Sequence, residues 1–271
     1  MTIEYDSAAV RSPAINELIE IWRYRDLLKL LVSNSIKTRY KRSVLGIVWT
    51  LLNPLLNTLV LTIALSQLFR FDVANYPVYI LSGLLVWNFF SQTSIFATNQ
   101  LVWGSSLIKR IYIPRTVFAV SVAGNGLVNF FLSLIPLFVV MLFMRQPFTL
   151  ALLWLPVPIF LLAVFTLGLT LFISTLAVFF VDVVDMYGIL LSAWFYLTPI
   201  IYPLEIVPER FAPFIRFNPI TIMVEMFRAP VFFGNAPSLS LILQATVIAF
   251  VTLIVGWLFF THKSNEFAYR I

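Results

Sequence analysis

Cysteine is missing from all 271 residues of this chain, and His262 is its one histidine. Without thiols the chain forms no disulfide framework and offers no thiolate ligands to a metal. The G-x-x-x-x-G-K-[ST] loop that cradles ATP phosphates is also missing, and the nine glycines form no dinucleotide-binding fingerprint. We therefore expect no metal, cofactor or catalytic site in the chain, and no hydrolysis of ATP by the chain alone.

Charge is scarce as well. Charged residues make up 11% of the chain, 61% of residues are hydrophobic, and the mean hydropathy is +0.95. So few charges cannot cover a soluble globular domain, and most of the chain must therefore lie in lipid. The net charge of +6 is better explained by membrane topology and attraction to anionic lipid than by a nucleic-acid partner.

Long apolar runs predict an all-α integral membrane protein with six transmembrane helices in a domain that covers residues 44–261. Each run is long enough to cross about 30 Å of hydrocarbon. The predicted spans are 44–69, 77–102, 117–143, 150–180, 186–202 and 239–260.

The remaining segments are polar or amphipathic. Residues 1–19 are predicted to be a flexible tail, and residues 20–43 an amphipathic helix on the cytoplasmic leaflet that is too charged to span. Residues 203–238 contain six prolines, which favour short amphipathic or re-entrant helices over a span. Residues 262–271 are predicted to be a second tail.

Lysine and arginine are distributed unequally along the chain. Thirteen of the 18 fall in the N-terminal segment, the loop 103–116 and the C-terminal tail. Because cytoplasmic loops carry the excess of positive charge, we expect both termini in the cytoplasm and residues 203–238 outside. The charged residues of this outer segment are Glu205, Glu209, Arg210, Arg216, Glu225 and Arg228.

No ionisable residue is predicted in the middle of a span. Proton coupling needs an intramembrane group that changes charge, so it lacks a carrier here. Sodium coupling through unwound backbone at Pro54 and Pro136 stays open.

Neutral polar residues instead repeat along the spans. In the third and fourth spans we interpret them as hydrogen bonds between helices. In the first, second and fifth spans they accompany aromatic rings, a combination that suits a sliding glycan, because sugars need neutral hydrogen-bonding partners and stack their C–H faces on rings. Lipid-facing aromatics are the alternative. The candidate glycan-channel residues are Trp49, Asn53, Asn57, Trp87, Asn88, Phe89, Phe90, Trp194, Phe195 and Tyr196.

A pump of this composition needs a separate ATPase subunit and a cytoplasmic surface that binds it. The loop 103–116 alternates apolar and basic residues, and a second feature is a pair of aspartates one helical turn apart. A positive topology anchor is the alternative function of the loop. The candidate coupling residues are Leu107, Ile108, Lys109, Arg110, Tyr112, Pro114, Arg115, Asp182 and Asp185.

Five segments carry a family resemblance. They are Arg39-Tyr40-Lys41-Arg42-Ser43-Val44-Leu45-Gly46 with Trp49 and Asn53-Pro54; Gly83-Leu84-Leu85-Val86-Trp87 with Phe89-Phe90; Leu107-Ile108-Lys109-Arg110 with Pro114-Arg115; Thr198-Pro199-Ile200 with Tyr202; and Asn218-Pro219 with Arg228. In this order they resemble the membrane permease of type-2 ABC exporters, in the branch that exports lipid-linked O-antigen, capsule or teichoic-acid polymers. One departure is Val181, because the family often has arginine before the residue equivalent to Asp182.

The resemblance implies a homodimeric channel flanked by two ABC ATP-binding subunits, which hold the ATP and Mg²⁺. ATP hydrolysis there would drive a polyprenyl-diphosphate-linked polysaccharide outward across the bacterial inner membrane. Residues 203–238 would form outer gate helices, and their six charged residues named above would be the gate residues. Arg39, Lys41 and Arg42 would attract the lipid diphosphate, unless they serve only as topology signals. Two alternatives stay open: an exporter of a drug or another lipid, and a membrane enzyme in which Asp182 and Asp185 hold Mg²⁺ against a polyprenyl lipid.

Overall fold

The computed structural model describes residues 13–40, 46, 48–69, 75–103 and 115–269, and within these ranges it contains helices and turns but no strand. The α-helices are α1 (Pro13–Arg23), α2 (Arg25–Tyr40), α3 (Val48–Phe69), α4 (Tyr76–Trp103), α5 (Arg115–Phe143), α6 (Pro156–Phe179), α7 (Val183–Tyr196), α8 (Ala212–Arg216), α9 (Pro219–Val231) and α10 (Leu239–Lys263). Short 3-10 helices cover Leu150–Trp154, Leu204–Ile206 and Ser264–Tyr269.

Four helical segments in the described part of the chain are long and apolar enough to cross a membrane. They are Tyr76–Trp103, Ala119–Phe143, Leu150–Phe179 and Leu239–Lys263. These segments correspond to the second, third, fourth and sixth predicted spans. At the positions of the first and fifth spans the structure has shorter apolar helices, Val48–Ala64 and Val183–Tyr196.

The fifth predicted span differs most from the structure. α7 begins three residues before the predicted start and ends at Tyr196, and its 14 residues are about 21 Å long at 1.5 Å per residue. Residues 197–202 form turns rather than helix. Pro199 and Pro203 explain the early end, because proline lacks an N–H and disfavours helical backbone before it. Hydropathy joined a short helix and a turn into one apolar run.

The N-terminal helical segment also differs from the prediction. It begins at Pro13, inside the expected tail, and it consists of two helices that meet at Tyr24. The fixed φ of proline suits the first position of a helix, which explains the start. Residues 1–12 lie outside the described residues.

α4 is the central helix of the bundle. In the most apolar stretch of α4, 72% of the residues are buried. The corresponding share in α10 is 17%, and the outward face of α10 is available to lipid. α4 contacts α3, α5, α6, α7 and α9. At one end of α7 the Tyr187 hydroxyl donates to Ser94 Oγ at 2.8 Å, and near the other end Trp87 meets Phe195 with ring centroids 5.5 Å apart. The short helix α7 is thus attached to α4 at both ends.

The N-terminal helices lie at the same end of the bundle as the ends of α4, α6 and α10. Tyr24, Leu27, Leu28 and Leu31 pack around Val117 at the start of α5. A second cluster, which includes Leu101, Val178, Phe260 and Phe267, joins α4, α6 and α10 to the last 3-10 helix. The flanks of the loop 104–114 therefore lie at the same end of the bundle as the N-terminal helices.

α6 and α10 approach most closely at two glycines. A Cβ on Gly256 would overlap the carbonyl oxygen of Gly168, and a Cβ on Gly168 would lie 2.5 Å from the backbone of Leu253. A Cβ added to Gly188 on α7 would have no heavy atom of a neighbouring helix within 4 Å. The α6–α10 contact therefore depends on the absence of side chains at both glycines.

We expect Gly256→Ala to destabilise the protein by about 1–3 kcal/mol, the usual cost of overpacking, because neither backbone can move away independently. The matched variant Gly188→Ala should leave stability unchanged or slightly raised, since alanine is the better helix former. The measurement is the midpoint of thermal unfolding in detergent at one heating rate. Equal midpoints for the two variants would contradict the close contact.

Candidate functional site

A cavity of about 360 Å³ lies between α3, α4 and α5. It is lined by Gly46, Trp49, Thr50, Asn53, Pro54, Leu85, Asn88, Phe89, Gln92, Thr93, Phe96, Val122, Asn125, Gly126, Asn129, Phe130 and Ser133. This volume is within the range of roughly 300–1,000 Å³ that is usual for small-molecule sites.

Five amide side chains distinguish this cavity. Asn53 comes from α3, Asn88 and Gln92 from α4, and Asn125 and Asn129 from α5. On α4 and α5 the pairs are four residues apart, a spacing that puts both members on one helix face. Each amide offers both donors and acceptors, so the wall is polar without ionisable groups.

Aromatic rings complete the cavity. Trp49 is 52% exposed and Phe96 is also exposed, whereas Phe89 is buried. Phe89 packs edge-to-face against Phe130, with ring centroids 5.5 Å apart. Rings are therefore available both at the exposed side of the cavity and in its buried part.

The structure brings together four of the predicted channel residues, Trp49, Asn53, Asn88 and Phe89, in this one cavity. Asn57 lies one turn from Asn53 and donates to its side-chain oxygen at 2.6 Å, on the exposed surface of α3. Tyr196 is exposed on α7.

The other predicted channel residues pack α4 against α7. Trp87 and Phe90 are buried, and each ring meets a ring of α7 edge-to-face: Trp87 with Phe195, and Phe90 with Trp194, both at 5.5 Å. In this conformation these four side chains stabilise helix packing within one protomer, because their rings face one another.

The sequence interpretation missed the contribution of α5. The polar residues of the third predicted span were interpreted as groups that pack helices together, yet three of them, Asn125, Asn129 and Ser133, line the cavity. Gln92 also lines the cavity and is not among the candidate channel residues. The signal that indicates them is the four-residue amide repeat, which α5 shares with α4, but periodicity alone does not reveal which helices face each other.

A second polar site surrounds Arg228 on α9. Its Nη1 donates to the Pro199 carbonyl at 2.6 Å, and its Nη2 donates to the carbonyls of Ile200 at 2.8 Å and Tyr79 at 3.0 Å. Its Nε donates to Ser82 Oγ at 3.4 Å. The guanidinium carbon lies 3.5 Å from the centroid of the Tyr79 ring, a cation–π contact. Arg228 thus joins α9 to α4 and to the turn after α7.

The Arg228 side chain is buried, with only 2% of its surface exposed. Proline-rich sequence around it predicts an outer segment but not its packing. Burial lowers the pKa of Arg228 to about 10, which leaves the guanidinium protonated at neutral pH. A buried charge of this kind requires the hydrogen bonds that it makes.

Asn218 closes the same site. Its side-chain oxygen accepts from Trp194 Nε1 at 2.8 Å and from the Ile220 backbone N–H at 3.0 Å, which caps the start of α9. Its nitrogen donates to Thr198 Oγ1 at 3.0 Å. Asn218 therefore attaches the start of α9 to both the end of α7 and the following turn.

The scattered family motifs meet here. A Cβ on Gly83 would lie 2.7 Å from Arg228 Nη2, so the glycine leaves room for the guanidinium. The Tyr79 hydroxyl donates to the Tyr202 carbonyl at 3.1 Å, and the Tyr202 hydroxyl donates to the Tyr196 carbonyl at 2.9 Å. The fourth and fifth resembling segments therefore form one hydrogen-bonded cluster, and the second segment contacts it through Gly83.

The remaining gate residues lie on the surface, apart from one. Glu205, Glu209, Arg210 and Arg216 are exposed. Glu225 is partly buried on α9, and this burial raises its pKa while Arg228 and Arg216 oppose the shift.

The predicted coupling and diphosphate-binding residues are mostly outside the described residues. Leu107, Ile108, Lys109, Arg110, Tyr112, Pro114, Lys41 and Arg42 lie there, and the side chains of Arg39 and Arg115 are not described either. Asp182 and Asp185 are exposed at the start of α7. These assignments stay predictions. Within the described residues, no group of three or more histidine, aspartate or glutamate side chains is placed to hold a metal ion.

Comparison with known proteins gives a consistent family. A family model described as ABC-2 type transporter matches residues 26–232. Two proteins named O-antigen export system permease protein RfbA are each 30% identical to the chain. The one from Klebsiella pneumoniae aligns over 90% of this chain and 94% of its own length, and the one from Myxococcus xanthus over 93% and 98%. The polysialic acid transport protein KpsM of Escherichia coli is 22% identical, and the alignment covers 84% of this chain and 90% of KpsM.

We expect Arg228→Met to destabilise the protein by about 3 kcal/mol or more, because it leaves several buried carbonyls without their charged donor. Arg216→Met removes the same charge from an exposed position of the neighbouring helix α8 and should cost at most about 0.5 kcal/mol. Thermal unfolding in detergent measures both. If both variants unfold at the same temperature, the guanidinium does not hold this cluster together.

Proposed function

The chain belongs to the ABC-2 type transporter family, and we propose that it forms the membrane channel of an ATP-driven exporter of O-antigen or a similar lipid-linked polysaccharide. The observation that carries the proposal is the pair of O-antigen export permeases, each 30% identical to the chain over nearly all of both lengths. The family match over residues 26–232 supports the same class of transporter.

The chain is the permease subunit of such a transporter, a multi-pass protein of the inner membrane. Since its sequence contains no phosphate-binding loop, we propose that ATP and Mg²⁺ bind to a separate ATP-binding subunit. Two copies of that subunit would flank a homodimer of this chain. Polyprenyl-diphosphate-linked polysaccharide would then pass outward between the two protomers.

We propose six spans with both termini in the cytoplasm. α3, with 22 residues, is about 33 Å long, which is enough to cross about 30 Å of hydrocarbon. α7 is shorter, and the apolar turn 197–202 and the gate segment 203–238 would complete its crossing on the outer side. Positive residues concentrate at the end of the bundle formed by α2 and the flanks of the loop 104–114, which supports this orientation.

The coupling surface would lie at that same end. Glu17 on α1 accepts a hydrogen bond from Thr116, next to the loop, and α2 packs on Val117. A movement of the loop would therefore reach α5 and the N-terminal helices together. Exposed Asp182 and Asp185 offer further contacts to the ATPase.

The channel wall would include the exposed residues of α3 and α7. Trp49, Asn53, Asn57 and Tyr196 provide amides and rings on surfaces that a second protomer can face. Neutral amides and rings bind sugars weakly and release them, as transport requires. Arg39, Lys41 and Arg42 would attract the diphosphate at the cytoplasmic leaflet.

The coupling proposal is tested with the triple variant Lys109→Ala, Arg110→Ala, Arg115→Ala, copurified with its ATPase in nanodiscs. We expect the affinity between the subunits to fall roughly tenfold or more, because the loss of about 1.4 kcal/mol of binding free energy lowers affinity tenfold. ATP turnover in the complex should fall with the affinity. Arg145→Ala removes an exposed charge at the other end of the bundle and should have no effect. Indifference of both assembly and turnover to the triple variant would exclude this loop as the coupling surface.

The orientation is tested by thiol labelling, for which the absence of cysteine gives a clean background. In spheroplasts we expect Ala236→Cys to react with a membrane-impermeant maleimide, and Asn34→Cys to react only after permeabilisation. Both positions are exposed. Labelling of Asn34→Cys in sealed spheroplasts would reverse the proposed topology.

A further inference from the structure

The cavity between α3, α4 and α5 has an exposed mouth and a buried floor. Asn53, Gln92 and Phe96 are exposed at the mouth, whereas Asn125 is 5% exposed and Thr93 is also buried at the floor. A molecule that enters from the mouth therefore exchanges water for amides and hydroxyls as it reaches the floor.

The floor is held by a close approach of α4 to α5. A Cβ on Gly126 would overlap Thr93 Oγ1 and would lie 3.2 Å from the Phe89 ring. Because neither helix can approach further or carry a larger side chain here, the shape of the floor is set by packing. A site with fixed walls loses little entropy when it binds a ligand.

The polar groups of the cavity are all neutral. Every described residue that lines it is an amide, a hydroxyl, an aromatic, an aliphatic residue, a proline or a glycine. A carboxylate at the floor would lose its hydration and would find no cationic side chain among these described residues to replace it. A sugar hydroxyl, in contrast, finds both donors and acceptors in the amides.

We propose that this cavity is a binding subsite for uncharged sugar units, and that it selects neutral glycans over anionic ones. The proposal rests on the proposed function for its substrate class and goes beyond it by naming the charge that the chain accepts. Amides at the mouth would replace water around the hydroxyls, and Trp49 and Phe89 would stack on the apolar ring faces. A lipid acyl chain is a poorer fit because it has no polar group to replace water at the amides that line the cavity.

Gln92 provides the sharpest test because it lies at the exposed mouth, where substitution does not disturb the packed floor. The probes are the methyl glycosides of glucose, galactose and mannose and their uronide counterparts, which differ only by a carboxylate at C6. Saturation-transfer NMR on the full-length chain in nanodiscs, with empty nanodiscs as blank, reports weak binding of each probe.

We expect the wild-type chain to give at least threefold stronger transfer to one or more neutral glycosides than to the corresponding uronides. Gln92→Leu should reduce the neutral signal severalfold, and Gln92→Lys should raise the uronide signal. Gln244 is an exposed glutamine on α10, away from the cavity, so Gln244→Leu and Gln244→Lys serve as matched controls and should match the wild type. Asn125→Leu should abolish the neutral signal if it folds.

Three results would overturn the proposal: no transfer to any neutral glycoside, equal transfer to glycosides and uronides, or Gln92 variants that behave like the Gln244 variants. The binding assay needs no ATPase, whereas the coupling assay needs no free sugar. Failure of the wild-type chain to assemble with an ATPase and support ATP turnover, with sugar binding retained, would therefore count against the exporter, and the reverse pattern would count against the subsite alone.

Discussion

A backbone carbonyl that lies outside a helix within a membrane protein needs a hydrogen-bond donor other than the helical N–H. For the turn after α7, that donor is Arg228. The carbonyls of Pro199 and Ile200 both accept from its guanidinium, as does the carbonyl of Tyr79 on α4. In lipid an unpaired backbone group costs several kcal/mol, so irregular backbone persists only where protein groups satisfy it. The short α7, the turn and the gate helix α9 all depend on this one side chain.

α4 connects that site to the cavity. In the first turns of α4, the Tyr79 carbonyl and Ser82 Oγ accept hydrogen bonds from Arg228. In its middle turns, Asn88 and Gln92 line the cavity between α3, α4 and α5. Between them, Trp87 and Phe90 pack against α7. Because this helix is buried along most of its length, movement of the outer segment and of the cavity wall cannot be independent.

The chemistry of the two sites explains a division of labour within an exporter. The cluster around Arg228 is charged, densely hydrogen-bonded and suited to holding a fixed geometry. The cavity is neutral and open at its mouth, and it is suited to weak, reversible contacts with a polyhydroxylated polymer. The N-terminal helices pack around the start of α5 at one end of the bundle, which is where the proposed ATPase subunit would act.

Composition and hydropathy were enough to predict an all-helical membrane protein and the positions of the second, third, fourth and sixth spans, because the solvent dictates the length and hydropathy of a span. The family followed from its resemblance in five motifs, whose order along the chain can be read without knowledge of contacts. Hydropathy did not separate α7 from its turn, and periodicity did not show that Asn125 faces Gln92 or that Arg228 is buried. Those facts depend on which helices are neighbours, and only tertiary packing decides that, because residues far apart in sequence become partners through it.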